Sequence, residues 1–509
     1  MKKYLKIGIV LLFIGAVFSS CESTLDINES EVDFTSDSVS PDLLLGGAIQ
    51  SPRTQMEVTT SELGSIMMNQ WAGDINNVTG GFQDEFRLNI TQQFYGSIWN
   101  NLYGGMATYQ TIIASEDESY GNHKAIARIL KSYYFQTIVD LYGDCPYTEA
   151  LQGGANLTPA YDDAQGIYRA LIVDIDEAIA ALNQSDMYLP VGNEDTVFQG
   201  NLSGWIQVAN TLKLRILLRQ SEMGGETASY LAEQFASLNT DFLTTDATVN
   251  PGYVNEAGQQ NPFWANYGFD VAGNPTFDRD FIVPSEYFAE FLKGNVQTGG
   301  SSETLPGTNV NDVRLLRFFN PVLIGPDAGN VTGVIQGETN VNAPTQLSEP
   351  GPGMLRDPGQ DGFLFTAAES YFLQAEAIHR GYISGDAKAA FQNGISASFR
   401  ILGIPGDAAA YLTNSDNVDR IGWDGSANKI EAIMTQKWIA LSGFNAIESW
   451  IDFTRTGYPE APLSIIAERP ARPVRLMYPT SEYSTNSANV GLQAQTIEDA
   501  FSNNIFWDN

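Results

Sequence analysis

Apolar residues recur at three- and four-residue steps through most of this chain. That period restricts it to helices that bury one face against each other. The run from 160 to 182 shows it best: Ile167, Tyr168, Leu171, Ile175, Ala178, Ile179 and Leu182 form one stripe. Pro159 and the Asp162-Asp163 pair suit the first turn. The same period predicts helices over 101–114, 123–141, 202–218, 228–238, 365–382, 387–402, 429–441 and 444–453. Strand signals are short and scattered. Val322-Leu323-Ile324 and the stretch 331–335 are expected as a small hairpin or edge pieces. The expected fold class is all-α, with few short strands.

Within ESYFLQAEAIHRGYISGDAKAAFQNGI, Tyr371, Ala375 and Ile378 are followed by Ala387, Phe391 and Gly394. This is the spacing of a tetratricopeptide helix pair, in which small residues let two helices approach closely and each pair buries its stripe against the next. A different region, about 245–362, interrupts the helical blocks. It is rich in Gly, Asn, Pro, Gln and Thr, with the aromatics Phe263, Trp264, Tyr267, Phe269 and Phe277. Long loops of this kind are usually functional or disordered, and the aromatics argue for a folded, irregular insertion.

The N-terminus carries a separate instruction. Lys2, Lys3 and Lys6 precede an apolar run from Ile7 to Phe18, too short to span a bilayer comfortably. Ser19-Ser20-Cys21 supplies small residues at a cleavage point, so residues 1–20 are expected to be a secretory signal. A plain signal peptide needs no cysteine after the cut. This one resembles a relaxed lipobox of Bacteroidetes-type bacteria, which implies lipidation of Cys21; several acyl chains on one residue give a stable anchor. Residues 21–40, mostly polar after the cysteine, are expected to be a tether, and 41–509 one helical domain. With Cys21 acylated, the second cysteine, Cys145, has no disulfide partner and is read as a packing residue.

Charge and motif content exclude several classes. Sixty Asp and Glu against 27 Lys and Arg give a net charge of −33. Nucleic acid needs clustered basic residues to displace counterions, so it is excluded as a partner. There is no G-x-S-x-G, no H-E-x-x-H, no phosphate loop ending in G-K-[ST] and no zinc spacing. No enzyme, catalytic residue or cofactor is expected and no metal site is assigned; oxygen-rich stretches such as GDINN and RDPGQDG leave calcium open, without EF-hand spacing.

Four strings in order, VDLYGDCPYTEAL, GWIQVANTLKLRILLR, QKWIAL followed by AIESWIDFTRTGYP, and RPVRLMYPTSEYSTN, run between residues 139 and 486. Together they resemble the signature segments of the SusD/RagB outer-membrane lipoproteins, in their SusD-like nutrient-binding group. Thr454-Arg455-Thr456-Gly457 keeps one arginine where many members have two. The resemblance implies tetratricopeptide-like helix pairs with a less regular ligand-facing region. It also implies a place on the cell surface, as a lid on a SusC-like TonB-dependent transporter, and a ligand that is a glycan or, in some branches, a peptide. An adhesion or scaffold role without transport is the remaining alternative.

No ligand residue transfers from these strings, so the site is sought by composition. A sugar needs an aromatic platform flanked by amides and carboxylates. MNQWAGDINNVTGGFQDEFR offers Asn69, Trp71, Asp74, Asn76, Asn77 and Phe82, and NPFWANYGFD offers Trp264, Asn266 and Tyr267. Trp71, Trp264 and Tyr267 are expected to line the pocket, with Asn69, Phe82 and Asn266 beside them. Trp423 is a lesser candidate; Trp99 and Tyr103, on one helical face, are assigned to the core.

Overall fold

The computed structural model describes residues 39–73, 81–296, 306–339, 344–491 and 496–508. The signal segment, Cys21 and the tether to residue 38 lie outside the described residues, as do Asp74, Asn76 and Asn77.

Among the described residues, these eleven helices form the scaffold: α1 (Pro41–Gln55), α2 (Ser61–Met67), α3 (Gly96–Ala114), α4 (Gly121–Tyr142), α5 (Ala164–Leu182), α6 (Leu202–Arg219), α7 (Gly225–Ser237), α8 (Ala367–His379), α9 (Ala387–Ile401), α10 (Lys429–Leu441) and α11 (Ile447–Thr456). The α5 stripe is buried, and Asp163 caps the helix by accepting from the Gly166 N–H at 2.7 Å. α4 is buried on nearly every side and forms the centre. Helices α1, α3, α4, α5 and α6 pack in succession. α8 and α9 form the expected hairpin, and both lie against α10. Gly394 leaves space for the Phe372 ring; a Cβ there would sit 2.8 Å from its Cε1. No helix among the described residues is long and apolar enough to cross a membrane.

The chain closes on itself where α2 meets α11. A Cβ on Gly64 would fall 2.2 Å from the Ala446 carbonyl carbon and 2.2 Å from the Ile447 nitrogen. Backbone cannot swing aside as a side chain can. Gly64→Ala is therefore expected to cost about 1–3 kcal/mol, as overpacking of a tight contact does, read as a lower urea midpoint.

Two departures from the sequence reading have clear causes. α1, α2 and the wider helical turn Met56–Thr60 between them carry no legible stripe because polar groups are buried beside the apolar ones: Arg53 pairs with Glu57, and Thr60, Ser61 and Ser65 are sealed. The strands also lie elsewhere. β1 (Trp71–Gly73) pairs antiparallel with β3 (Ile282–Pro284), and β2 (Ala247–Val249) with β4 (Gly362–Phe365). At the expected hairpin, the Val322 N–H meets the Asn330 carbonyl at 2.8 Å to close a loop, while Leu323 and Ile324 point to solvent. Val334 forms only an isolated bridge to Ser285.

The described residues of the 245–362 region pack around its aromatics. Asn261 caps the short helix Pro262–Tyr267, and Ser285 caps Glu286–Lys293. The second helix buries Phe288 and Phe291 edge-on to Trp438, with ring centroids 5.0 and 5.4 Å apart.

Candidate functional site

The two stretches nominated for the ligand do converge, but most of their side chains close on each other. Trp71 and Tyr267 are both fully buried, edge to face with centroids 5.4 Å apart, and Phe263 adjoins both rings. The Tyr267 hydroxyl donates to Glu62 at 2.9 Å, and the Tyr95 hydroxyl donates to the other carboxylate oxygen at 3.1 Å. Burial, only partly offset by the Tyr267 hydrogen bond, pushes the Glu62 carboxyl up to about 7. Asn69 is buried and donates to the Pro462 carbonyl at 3.1 Å. Phe82 is buried on Phe281 with centroids 4.8 Å apart. Trp71, Tyr267, Asn69 and Phe82 thus pack the scaffold and offer no ring face or free amide to solvent here. A large aromatic gains more from full burial than from exposure, and composition alone could not tell the two uses apart.

Trp264 and Asn266 differ, since both remain half-buried at the surface. Trp264 leans on Phe269 at 5.7 Å, and Asn266 donates to Asp278 at 3.0 Å. Trp423 packs against Phe391 and His379 at the edge of the α8–α9–α10 core.

A cleft of about 400 Å³ opens elsewhere, within the range that holds small ligands. Its floor is Trp99 and Tyr103, one helical turn apart on α3. One wall is the loop after α4, with Pro146, Ala150, Leu151 and Pro159. The opposite wall is the short helix Thr480–Thr485, with Ser481, Glu482 and Thr485. Trp99 sits among tyrosines: Tyr103, Tyr142 and Tyr478 have centroids 4.7, 5.0 and 5.7 Å away, and Tyr161 lies nearly parallel to it at 6.4 Å.

Hydrogen bonds fix the walls. Trp99 Nε1 donates to Glu482 Oε1 at 3.3 Å, and the Tyr161 hydroxyl donates to Oε2 at 2.9 Å. Burial and the neighbouring Glu482 charge hold the Tyr161 hydroxyl well above its ordinary range, so it stays a donor. The Tyr103 hydroxyl donates to the Pro146 carbonyl at 2.7 Å, and Ser481 Oγ to Asn100 Oδ1 at 2.7 Å. Asn486 and Asn489 both donate to the Pro159 carbonyl, tying one wall to the other. Behind the floor, Cys145 is sealed and burial drives its thiol well above the ordinary range, which removes it as a nucleophile.

The cleft thus joins aromatic and apolar walls to a carboxylate, hydroxyls and an amide. Trp99 is buried in the core and Tyr103 packs half-buried against it, as their core-stripe spacing implies; what the spacing does not show is that both also border a cleft. The only available signal was Glu482 and its hydroxyl neighbours inside RPVRLMYPTSEYSTN.

Residues 33–479 match the family model named SusD-like and described as starch-binding and associating with the outer membrane. The chain belongs to the SusD-like family. Solved SusD homologues share its fold. One from Parabacteroides distasonis is 21% identical with a TM-score of 0.72, over 92% of this chain and 98% of its own. A chitin-binding SusD homologue from Flavobacterium johnsoniae is 22% identical with a TM-score of 0.70, over 91% of this chain and 98% of its own. A structure described as a chitin-binding protein is 24% identical with a TM-score of 0.71, over 92% of this chain and 99% of its own. No curated protein matches this SusD-like chain.

Proposed function

We propose that this SusD-like protein captures oligosaccharides at the outer-membrane surface and delivers them to a SusC-like TonB-dependent transporter. It acts by binding, without chemistry. The match over residues 33–479 to a family described as starch-binding carries this reading. Two structural relatives described as chitin-binding point to the same ligand class. Lipidation of Cys21 would hold the body at the membrane, with 21–40 as the tether and 41–509 as the binding domain. The described residues from Pro41 onward form one packed unit.

The cleft supplies what an oligosaccharide requires, an apolar surface for sugar C–H faces and polar groups at its rim. Trp264 and Asn266 remain as contacts of a second surface patch, because both are still reachable by solvent.

A thermal-shift panel on the chain from residue 22 tests the reading, with starch- and chitin-type oligosaccharides beside mixed peptides. A saccharide at 100 times its dissociation constant is expected to stabilise the protein by about 2.7 kcal/mol. Thr485→Trp, which fills the cleft from its exposed rim, is expected to remove the shift, and Trp264→Ala to leave most of it. The reverse pattern would move the site to Trp264. Shifts with peptides alone would replace the saccharide by a peptide, and no shift with either would favour an adhesion role.

A further inference from the structure

Glu482 is half-buried in the cleft wall and has only neutral partners. Its donors are the Trp99 indole, the Tyr161 hydroxyl and the Asn486 amide, the last at 3.3 Å on Oε2. No lysine or arginine pairs with it among the described residues. The basic residue nearest in sequence, Arg475, is turned away: its guanidinium lies 5.3 Å from the centroid of the Tyr478 ring, and it donates to the Tyr142 carbonyl. Asp140, Glu369, Glu376, Glu448 and Asp452 each meet an arginine. Asp195 and Glu62 also have neutral donors, but Asp195 is filled by three backbone N–H groups and the Trp205 indole, and Glu62 is closed in by Tyr95 and Tyr267 away from the cleft.

A carboxylate accepts about four hydrogen bonds. Oε2 holds two donors and Oε1 only one, so one acceptor position on Oε1 is open. The surroundings favour a cation there. Tyr103 and Leu151 are half-buried at the cleft surface above the buried Trp99, and the Tyr103 ring face attracts positive charge. Burial in such walls also strengthens the attraction of Glu482 for an incoming charge.

We infer that the cleft recognises a protonated primary amine, with Glu482 as its counter-ion and the rings of α3 beneath it. The inference rests on the cleft being the ligand site and narrows its ligand. Two sources carry that chemistry: a de-acetylated amino sugar within an oligosaccharide, and a lysine side chain or free amine of a peptide.

Calorimetric titration at about pH 6 separates them, with a β-1,4-linked glucosamine tetramer, its fully N-acetylated counterpart, and trilysine as probes. The glucosamine tetramer is expected to bind, the N-acetylated form at least about tenfold more weakly. Glu482→Gln, which keeps an oxygen for Tyr161 or Trp99, is expected to lose about tenfold or more for the amine, the scale of a hydrogen bond to a charged group. Glu482→Asp keeps the charge and is expected to retain measurable binding, which guards against a misfolded glutamine variant. Thr485→Trp should abolish binding of every probe that uses the cleft.

Equal affinity for the acetylated and free-amine tetramers, with Thr485→Trp still abolishing both, would overturn the amine while leaving saccharide capture intact. Binding of trilysine alone, dependent on Glu482, would support the amine and replace the saccharide. Failure of all three probes would overturn the amine site, leaving the neutral oligosaccharides of the thermal-shift panel to decide the broader reading.

Discussion

Arg219→Ala is expected to remove about 3–5 kcal/mol of stability, the usual cost of leaving buried charges without a partner. The arginine ends α6, is 1% exposed, and serves three acids at once. Nε donates to Asp140 at 3.2 Å, Nη1 to Asp452 at 3.2 Å and Nη2 to Glu448 at 2.6 Å. These acids come from α4 and α11, so one side chain ties three helices together. Asp140 also accepts from the Trp507 indole at 2.9 Å and from the Tyr168 hydroxyl, which extends the tie to α5 and the last described residues. A folded domain is stable by only about 5–15 kcal/mol in total, so this single change should lower the urea midpoint steeply or prevent accumulation of folded protein. A loss under about 1 kcal/mol would show that Arg215 and Lys437, which already contact Glu448 and Asp452, take over the charge.

Stability is expected to peak near pH 4.5 and to fall on both sides. Burial alone would raise the Glu376 carboxyl, but the Arg455 charge and hydrogen bonds, at 2.6 and 2.8 Å, together with Arg380, hold it down to about 2. A depressed acid stabilises the fold above its ordinary value near 4.5. That contribution drains away as the pH falls from 4.5 through 2. Glu62 works in the opposite sense. Its carboxyl is raised to about 7, so the fold holds this proton more tightly than the unfolded chain does. Stability therefore declines as the pH rises from 4.5 through 7. Each limb amounts to about 1–3 kcal/mol. Urea midpoints between about pH 2.5 and 8 would trace both limbs. Asp140 and Asp508, both raised by burial to about 6, add to the start of the upper limb, so Glu62→Gln should flatten its part above about pH 6 and leave the lower limb. A wild-type midpoint higher at pH 8 than at pH 4.5 would refute the part assigned to Glu62.

The contrast between Arg219 and Glu482 separates scaffold from site. Both are charged residues within the signature strings that carried the family resemblance. Arg219 is fully matched by acids in the interior, so its charge holds helices. Glu482 stands in a cleft wall with neutral neighbours only, so its charge is left for something from outside. The chain order of the strings could not reveal this difference, because their partners lie far off in sequence.

The helices themselves were open to reading. The stripe from Ile167 to Leu182 is a local fact, settled within a few turns of chain, and the structure forms α5 over it; the helix starts at Ala164, four residues later than the pattern predicts, because Asp163 caps it and leaves Pro159 and Asp162 outside. The small residues of the 371–394 segment likewise anticipated the α8–α9 pair. Short-range pattern failed where burial was polar, as at Arg53 and Glu57 in the first helices, and where strands of three or four residues were too short to show a period.

Sequence by itself determined the helical class and the order of its main helices, because both are written in residue spacing along the chain; the SusD-like family was legible separately, from the resemblance of four signature strings. Only the tertiary structure decided which aromatics face inward. Trp71 and Tyr267 have the composition of a sugar platform, yet they seal against Phe263; Trp99 and Tyr103 have the spacing of a core stripe and do pack in the core, and the same rings also border a cleft. The indole of Trp99 meets a carboxylate 383 residues later in the chain. A periodic pattern says that a face is covered, and the covering partner exists only once the chain has folded.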